Sequence, residues 1–163
     1  MSEETGKARP YVHLVEGLDP VEIMQGASAA LRTIVDRLGP EAVDRKPAPE
    51  KWSVREILCH IADCEVAWAW RLRLIYGSDH PELQPFEQDP WARAYVGPQH
   101  TAEAALVAFT ALRTWNLAFI QSFTEADKQR TAHHPEIGDL TLWTVVEIAA
   151  GHDLHHLQSM GKL

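Results

Sequence analysis

The sequence has no apolar run of about 18 residues, the length a helix needs to cross a bilayer. Its first residues, Met1-Ser2-Glu3-Glu4-Thr5-Gly6-Lys7, lack the basic-then-apolar layout of a secretory signal. A cytoplasmic location is the expectation. Cysteine is scarce: Cys59 and Cys64 stand five apart on one expected helix, on different faces, where a bridge between them is sterically awkward. Free thiols in a reducing compartment follow. Basic residues are also few, 15 Lys and Arg against 23 Asp and Glu for a formal charge of -8. They are scattered singly, so most of the surface would repel a phosphate backbone. Neither nucleic acid nor a membrane is an expected partner, and no internal repeat, strand series or low-complexity block is apparent.

What is present is the composition of a folded domain, 45% apolar and 23% charged over 163 residues, which argues against disorder. That length suits a single domain spanning 1–163. Residues 1–18 show little periodicity and read as an N-terminal arm whose first few residues fray. Asp19-Pro20-Val21-Glu22 supplies an N-cap, a proline fit for the first turn and an acid. Met24, Ala27, Leu31, Ile34, Val35 and Leu38 then recur at helical spacing until Gly39-Pro40. Ser53-Val54-Arg55-Glu56 is a capping box that opens a second helix, with Ile57, Leu58, Ile61, Cys64, Trp68, Leu72 and Ile75 on its apolar stripe and Gly77 as its stop. A third helix is expected from Thr101 to about Phe123, and a fourth from about Thr141 to Met160.

These elements predict an all-α four-helix bundle. The connection 78–100 is long and rich in proline and acid, with room for a short helical turn near Trp91 to Tyr95. Such a link lets helices two and three run parallel, giving an up-down-down-up order in which helices two and four are antiparallel.

Nine histidines are the other conspicuous feature. His152 and His156 are four apart, so both imidazoles can converge on one ion. His60 lies about 10 Å from the start of helix two, and the pair lies roughly 6 to 12 Å from the end of helix four. Antiparallel packing brings all three level, whereas parallel packing would separate them by about 8 Å or more along the axis. Three imidazoles with one open position suit zinc, nickel, iron or another first-row divalent ion better than magnesium or calcium. Both hydrolysis and thiol transfer are open to such a centre.

Blander readings stand beside this one. A histidine pair at that spacing can arise without a metal, His155 reads as a rim neighbour, and His13, His80, His100, His133 and His134 read as surface residues of arm and loops. Cys64 is one turn beyond His60 and could approach an ion, yet on an apolar stripe it reads as core. Asp63 and Glu65 are candidate acceptors or bases near His60, with Asp153 turned away from His152 by about 100°. Solvated carboxylates are the plain alternative for all three.

Taken together, Arg45 to Glu65 with Trp52-Ser53-Val54-Arg55-Glu56 and His60, His133 to Thr141, and Gly151-His152-Asp153-Leu154-His155-His156 resemble the DinB-like superfamily. These are metal-binding four-helix bundles that include bacillithiol and mycothiol transferases and the mycothiol-dependent maleylpyruvate isomerase. The resemblance implies an up-down-down-up bundle, frequently homodimeric, with a divalent metal on His60, His152 and His156. Zinc or nickel is the first expectation for that ion, with iron and manganese also compatible. It implies a metal-dependent thiol S-transferase or hydrolase acting on a small molecule, possible partners being a low-molecular-weight thiol and a second copy of the chain. The catalytic residues stay unknown. The alternatives are a non-catalytic binding or stress-response protein stapled by its metal, and a bundle whose histidines are incidental.

Overall fold

Asp19 leaves an arm wound into a 3-10 turn at Val12–Leu14, and its carboxylate accepts a hydrogen bond from the Val21 amide at 2.8 Å. Pro20 fills the first turn, where its missing N–H is no loss, so α1 (Pro20–Ala42) begins here. The computed structural model describes residues 9–161; the fraying expected of the first few residues lies outside the described residues. α1 buries Met24, Ala27 and Leu31, and it kinks at Gly39, whose φ of 75° is a left-handed value open to glycine. α2 (Val54–Gly77) opens on a complete capping box: the Glu56 amide donates to Ser53 Oγ at 3.2 Å, and the Ser53 amide donates to the Glu56 carboxylate at 2.8 Å. The following link contains α3 (Gln88–Ala92) and a 3-10 turn at Arg93–Val96.

Thr101 caps α4 (Ala102–Ile120), which ends short of the expected Phe123, because the chain turns at Gln121 into a second capping box, Thr124 with Asp127, that starts α5 (Glu125–Lys128). α6 (Leu142–Met160) starts at its Thr141 cap. Between α5 and α6 lies an element that the all-helical reading lacked. β1 (Thr131–His134) pairs antiparallel with β2 (Gly138–Thr141), Thr131 opposite Thr141 and His134 opposite Gly138. Four-residue strands are too short to display a period-two pattern, and only the fold supplies their third partner. The Leu83 amide donates to the His133 carbonyl at 2.8 Å, and the His133 amide donates to the Pro81 carbonyl at 2.9 Å. The long link is thus stitched onto the hairpin.

Contacts between helices fix their directions. Arg32 of α1 pairs with Glu103 at 2.7 Å and Arg113 donates to the Met24 carbonyl at 3.1 Å, so α1 and α4 are antiparallel. Arg55 reaches the His100 carbonyl at 3.2 Å, Arg73 donates to Asn116 at 3.0 Å and Tyr76 stacks on Phe123 at 5.8 Å, so α2 and α4 are parallel. His60 meets His156 at 5.1 Å between ring centroids while Trp68 meets His152 at 6.3 Å, so α2 and α6 are antiparallel. The order is up-down-down-up. Among the described residues, no helix is long and apolar enough to cross a membrane.

Two apolar clusters fill the interior, one around Leu31, Leu58, Leu106 and Phe109 and one around Met24, Leu72, Leu142 and Val146. Between them lies a polar layer. Arg113 is 2% exposed; it donates to Asp153 through Nη1 at 2.6 Å and Nη2 at 3.0 Å, and to Glu65 through Nη2 at 2.6 Å. Asn116 donates to the same Glu65 carboxylate at 3.0 Å. Glu65 and Asp153 are therefore buried members of an ion network and not solvated carboxylates. Burial alone opposes the Arg113 charge, but the two carboxylates outweigh it and raise its pKa.

The arm crosses α6 at Gly151, where a Cβ would stand 2.3 Å from the Tyr11 carbonyl oxygen. Backbone must move to admit any side chain there. Gly151→Ala is expected to lift the arm, remove the edge-on packing of Tyr11 against His152 at 5.5 Å, and cost about 1–3 kcal/mol in urea unfolding. Unchanged stability would show that the arm yields freely.

Candidate metal centre

α2 presents His60 and Cys64 on successive turns of its inner face, and α6, running the other way, presents His152 and His156 at the same height. His152 Nε2 lies 3.1 Å from His60 Nε2 and 3.1 Å from His156 Nε2. An imidazole nitrogen has one in-plane direction, a single proton or a single lone pair, so it cannot serve two hydrogen-bond partners at once. Two such approaches sharing His152 are what a cation between the rings would explain, although His156 stands outside the group of donors that are all mutually close. Cys64 Sγ lies 3.6 Å from His60 Nε2 and 3.9 Å from His152 Nε2. Among the described residues, donor atoms of His60, Cys64 and His152 all fall within 4.8 Å of one another. Around a tetrahedral first-row ion, neighbouring ligand atoms stand about 3.3 Å apart for N and N and about 3.6 Å for N and S. The donor set fits such an ion, and Cys64, read from sequence as core, belongs to the cluster.

The electrostatics favour neutral rings. Burial holds His60 down to about 4 and His156 down to about 3, with His60 and His155 adding repulsion to the latter. Burial also lowers His152 well below its ordinary value, helped by His156 and His60. Uncharged imidazoles offer lone pairs. Burial, reinforced by Glu65 and Asp63, pushes the Cys64 thiol upward, a preference that an adjacent dication reverses.

The other expected residues fall outside the cluster. His155 is exposed at the rim, 5.0 Å from the Tyr11 ring. Asp63 accepts a 2.7 Å hydrogen bond from the Tyr95 hydroxyl, and Asp153 and Glu65 pair with Arg113. His134, expected at the surface, is buried on β1.

His60, Cys64 and His152 form one wall of a cavity of about 200 Å³. Tyr11, Trp68, Phe86 and Ile148 supply apolar wall, and Arg71, His134 and Glu136 supply polar groups. On the other side His156 borders an open cleft of about 600 Å³ with Trp52, Lys51 and Asp89. A cavity of about 710 Å³ between Gly39, Val96 and Glu103 gathers no such donor cluster. Sequence reasoning missed Arg71, His134 and Phe86, since only the pairing of the link with the hairpin brings His134 and Phe86 to α2 and closes a cavity over Arg71.

Residues 24–160 match the family model described as the DinB superfamily. A protein of Oceanobacillus iheyensis, provisionally named a metal-dependent hydrolase, is 28% identical over 131 residues, covering 80% of this chain and 75% of that one. A Geobacillus kaustophilus protein with the same provisional name is 27% identical over 162 residues, covering 98% of this chain and 85% of its own length. Among solved structures, YfiT from Bacillus subtilis superposes with a TM-score of 0.78 at 18% identity, covering 88% of this chain and 82% of that one. It is described as a probable metal-dependent hydrolase with an unusual four-helix bundle topology. TT2238, a four-helix bundle protein, superposes with a TM-score of 0.61 at 20% identity, covering 88% of this chain and 97% of its own. These structural likenesses establish the bundle fold.

Proposed function

The chain belongs to the DinB superfamily, and from that premise we propose that it is a metal-dependent enzyme acting on a small molecule, by hydrolysis or by thiol transfer. His60, His152 and His156 hold the ion, zinc or nickel before iron or manganese given three nitrogen donors beside a sulfur. The observation that carries this reading is the approach of His60 Nε2 and His156 Nε2 to His152 Nε2, 3.1 Å in each case, with His60 and His152 on the wall of a cavity and His156 behind them. Relatives named for metal-dependent hydrolysis support it. Bound there, the ion supplies Lewis acidity, favouring the deprotonated form of a water or thiol at neutral pH. The chain's own part is positional: burial favours the neutral form of the three rings, and Trp68, Phe86 and Ile148 give the cavity an apolar wall. The test compares metal-loaded and metal-free protein against simple esters and amides, and against thiols offered with electrophiles. Turnover is expected in the loaded wild type and not in His60→Ala. No turnover above the metal-free protein in any assay would end the catalytic reading.

Cys64 favours a second reading, in which its sulfur closes the coordination sphere and the ion only staples α2 to α6. That protein would show a sulfur-to-cobalt charge-transfer band after Co(II) substitution, lost in Cys64→Ser, and no turnover.

A further inference from the structure

Arg71 lies seven residues beyond Cys64 on α2, two turns along the same face and roughly 10 Å along the axis. Long helical side chains lean toward the N-terminus, which here means back toward the histidines. Arg71 lines the cavity that His60, Cys64 and His152 wall, and its guanidinium sits over the ring of Trp68, another lining residue, at 5.3 Å. Nη2 donates to the Gln84 carbonyl at 2.7 Å. That engages one of five N–H donors.

Other arginines of the bundle contrast with it. Arg32 and Arg113 hold carboxylates within 2.7 Å, Arg55 pairs with Asp44, and Arg130 donates to the carbonyls of Ile75 and Ser78. Among the described residues, no carboxylate stands within 4.0 Å of Arg71. Glu136 shares the cavity wall but is itself exposed to solvent. A cation partly withdrawn from water without an anion in contact is costly; Glu136 acts on this one only at longer range, and it faces a cavity that is partly open to solvent. The volume, about 200 Å³, is the liquid share of roughly seven waters, so the occupant is small.

Resting on the metal-centre reading above, we propose that Arg71 is the anion-recognising residue of the site: the substrate is a short molecule bearing a carboxylate or phosphate-type anion at the end opposite its reacting group. The anion pairs with the free edge of the guanidinium, bidentate where geometry allows, while the reacting end lies against His60, Cys64 and His152. Phe86 and Trp68 line the apolar stretch between the two ends. Neutral compounds of the same length are discriminated against because they leave Arg71 desolvated and unpaired.

The Co(II)-substituted protein reports binding through its visible absorption. It is titrated with 3-mercaptopropionate, 2-mercaptoethylphosphonate and neutral 3-mercaptopropan-1-ol, whose thiols compete equally for the metal end. The wild type is expected to bind at least one of the acids ten-fold or more tighter than the alcohol. The acid that gains more identifies the anion. In Arg71→Met the advantage is expected to fall within two-fold, and in Arg71→Lys part of it returns, which separates charge recognition from a general loss of packing. Equal affinities in the wild type, or an advantage that survives in Arg71→Met, would overturn the proposal. Should no cobalt be taken up, the metal-centre reading fails by itself. Calorimetry with the same probes on metal-free protein then decides Arg71 by the same selectivity.

Discussion

Arg113→Met is expected to remove about 3–5 kcal/mol of folding free energy, measured by urea unfolding of the metal-free protein. The guanidinium is buried, and the substitution leaves the carboxylates of Glu65 and Asp153, also buried, without their shared cation. The penalty comes from the stranded charges more than from lost attraction. Accordingly the triple variant Arg113→Met, Glu65→Gln, Asp153→Asn is expected to recover much of the loss, since amides cost far less to bury than unpaired carboxylates. The same substitution reaches the candidate metal centre. Glu65 follows Cys64 and Asp153 follows His152, so Arg113 of α4 ties together α2 and α6 at the residues next to two donors. Metal uptake by Arg113→Met is expected to weaken along with its stability. A variant unfolding within 1 kcal/mol of wild type (about the scatter expected of a neutral substitution) would show that the network contributes nothing net.

His152→Ala is expected to abolish stoichiometric metal. His152 Nε2 stands between the other two rings, 3.1 Å from each of their Nε2 atoms, so its loss leaves His60 and His156 without the donor that links them. In the wild type, metal at about a thousand times its dissociation constant contributes about 4 kcal/mol of stability. Thermal unfolding with and without a chelator reads that difference directly. His152→Ala should melt at the same temperature in both conditions, while His155→Ala, altered at the exposed rim, should keep the wild-type difference. Elemental analysis of His152→Ala showing one bound ion would remove this residue from the site.

The helix starts were legible because each is a local device. Asp19-Pro20, Ser53 with Glu56, Thr101 and Thr141 satisfy backbone donors within three residues, and all four caps stand where the sequence places them. The meeting of His60 with His152 and His156 was legible for another reason: two helical rises and one direction of packing suffice to bring them level. Arg113 was harder, though a signal exists. It falls on the stripe Ala105, Phe109, Arg113, Asn116, Ile120, and a cation on an apolar stripe demands buried anions. Their identities depend on which helices adjoin α4, and no local pattern encodes that. The hairpin and Arg71's place on the cavity wall required the same long-range knowledge, because residues 81–83 and 133 are joined across some fifty positions.

The long link between α2 and α4 exists because those helices point the same way, yet the cavity borrows its Leu83 and Phe86 for a wall. Imidazoles and thiol come from rigid rods, whereas this part of the enclosure comes from a strap. The two can diverge separately over evolutionary time: insertions or exchanges between positions 82 and 90 would reshape what fits inside without disturbing the donors. A lineage could acquire a new preference there while inheriting its reactive centre intact.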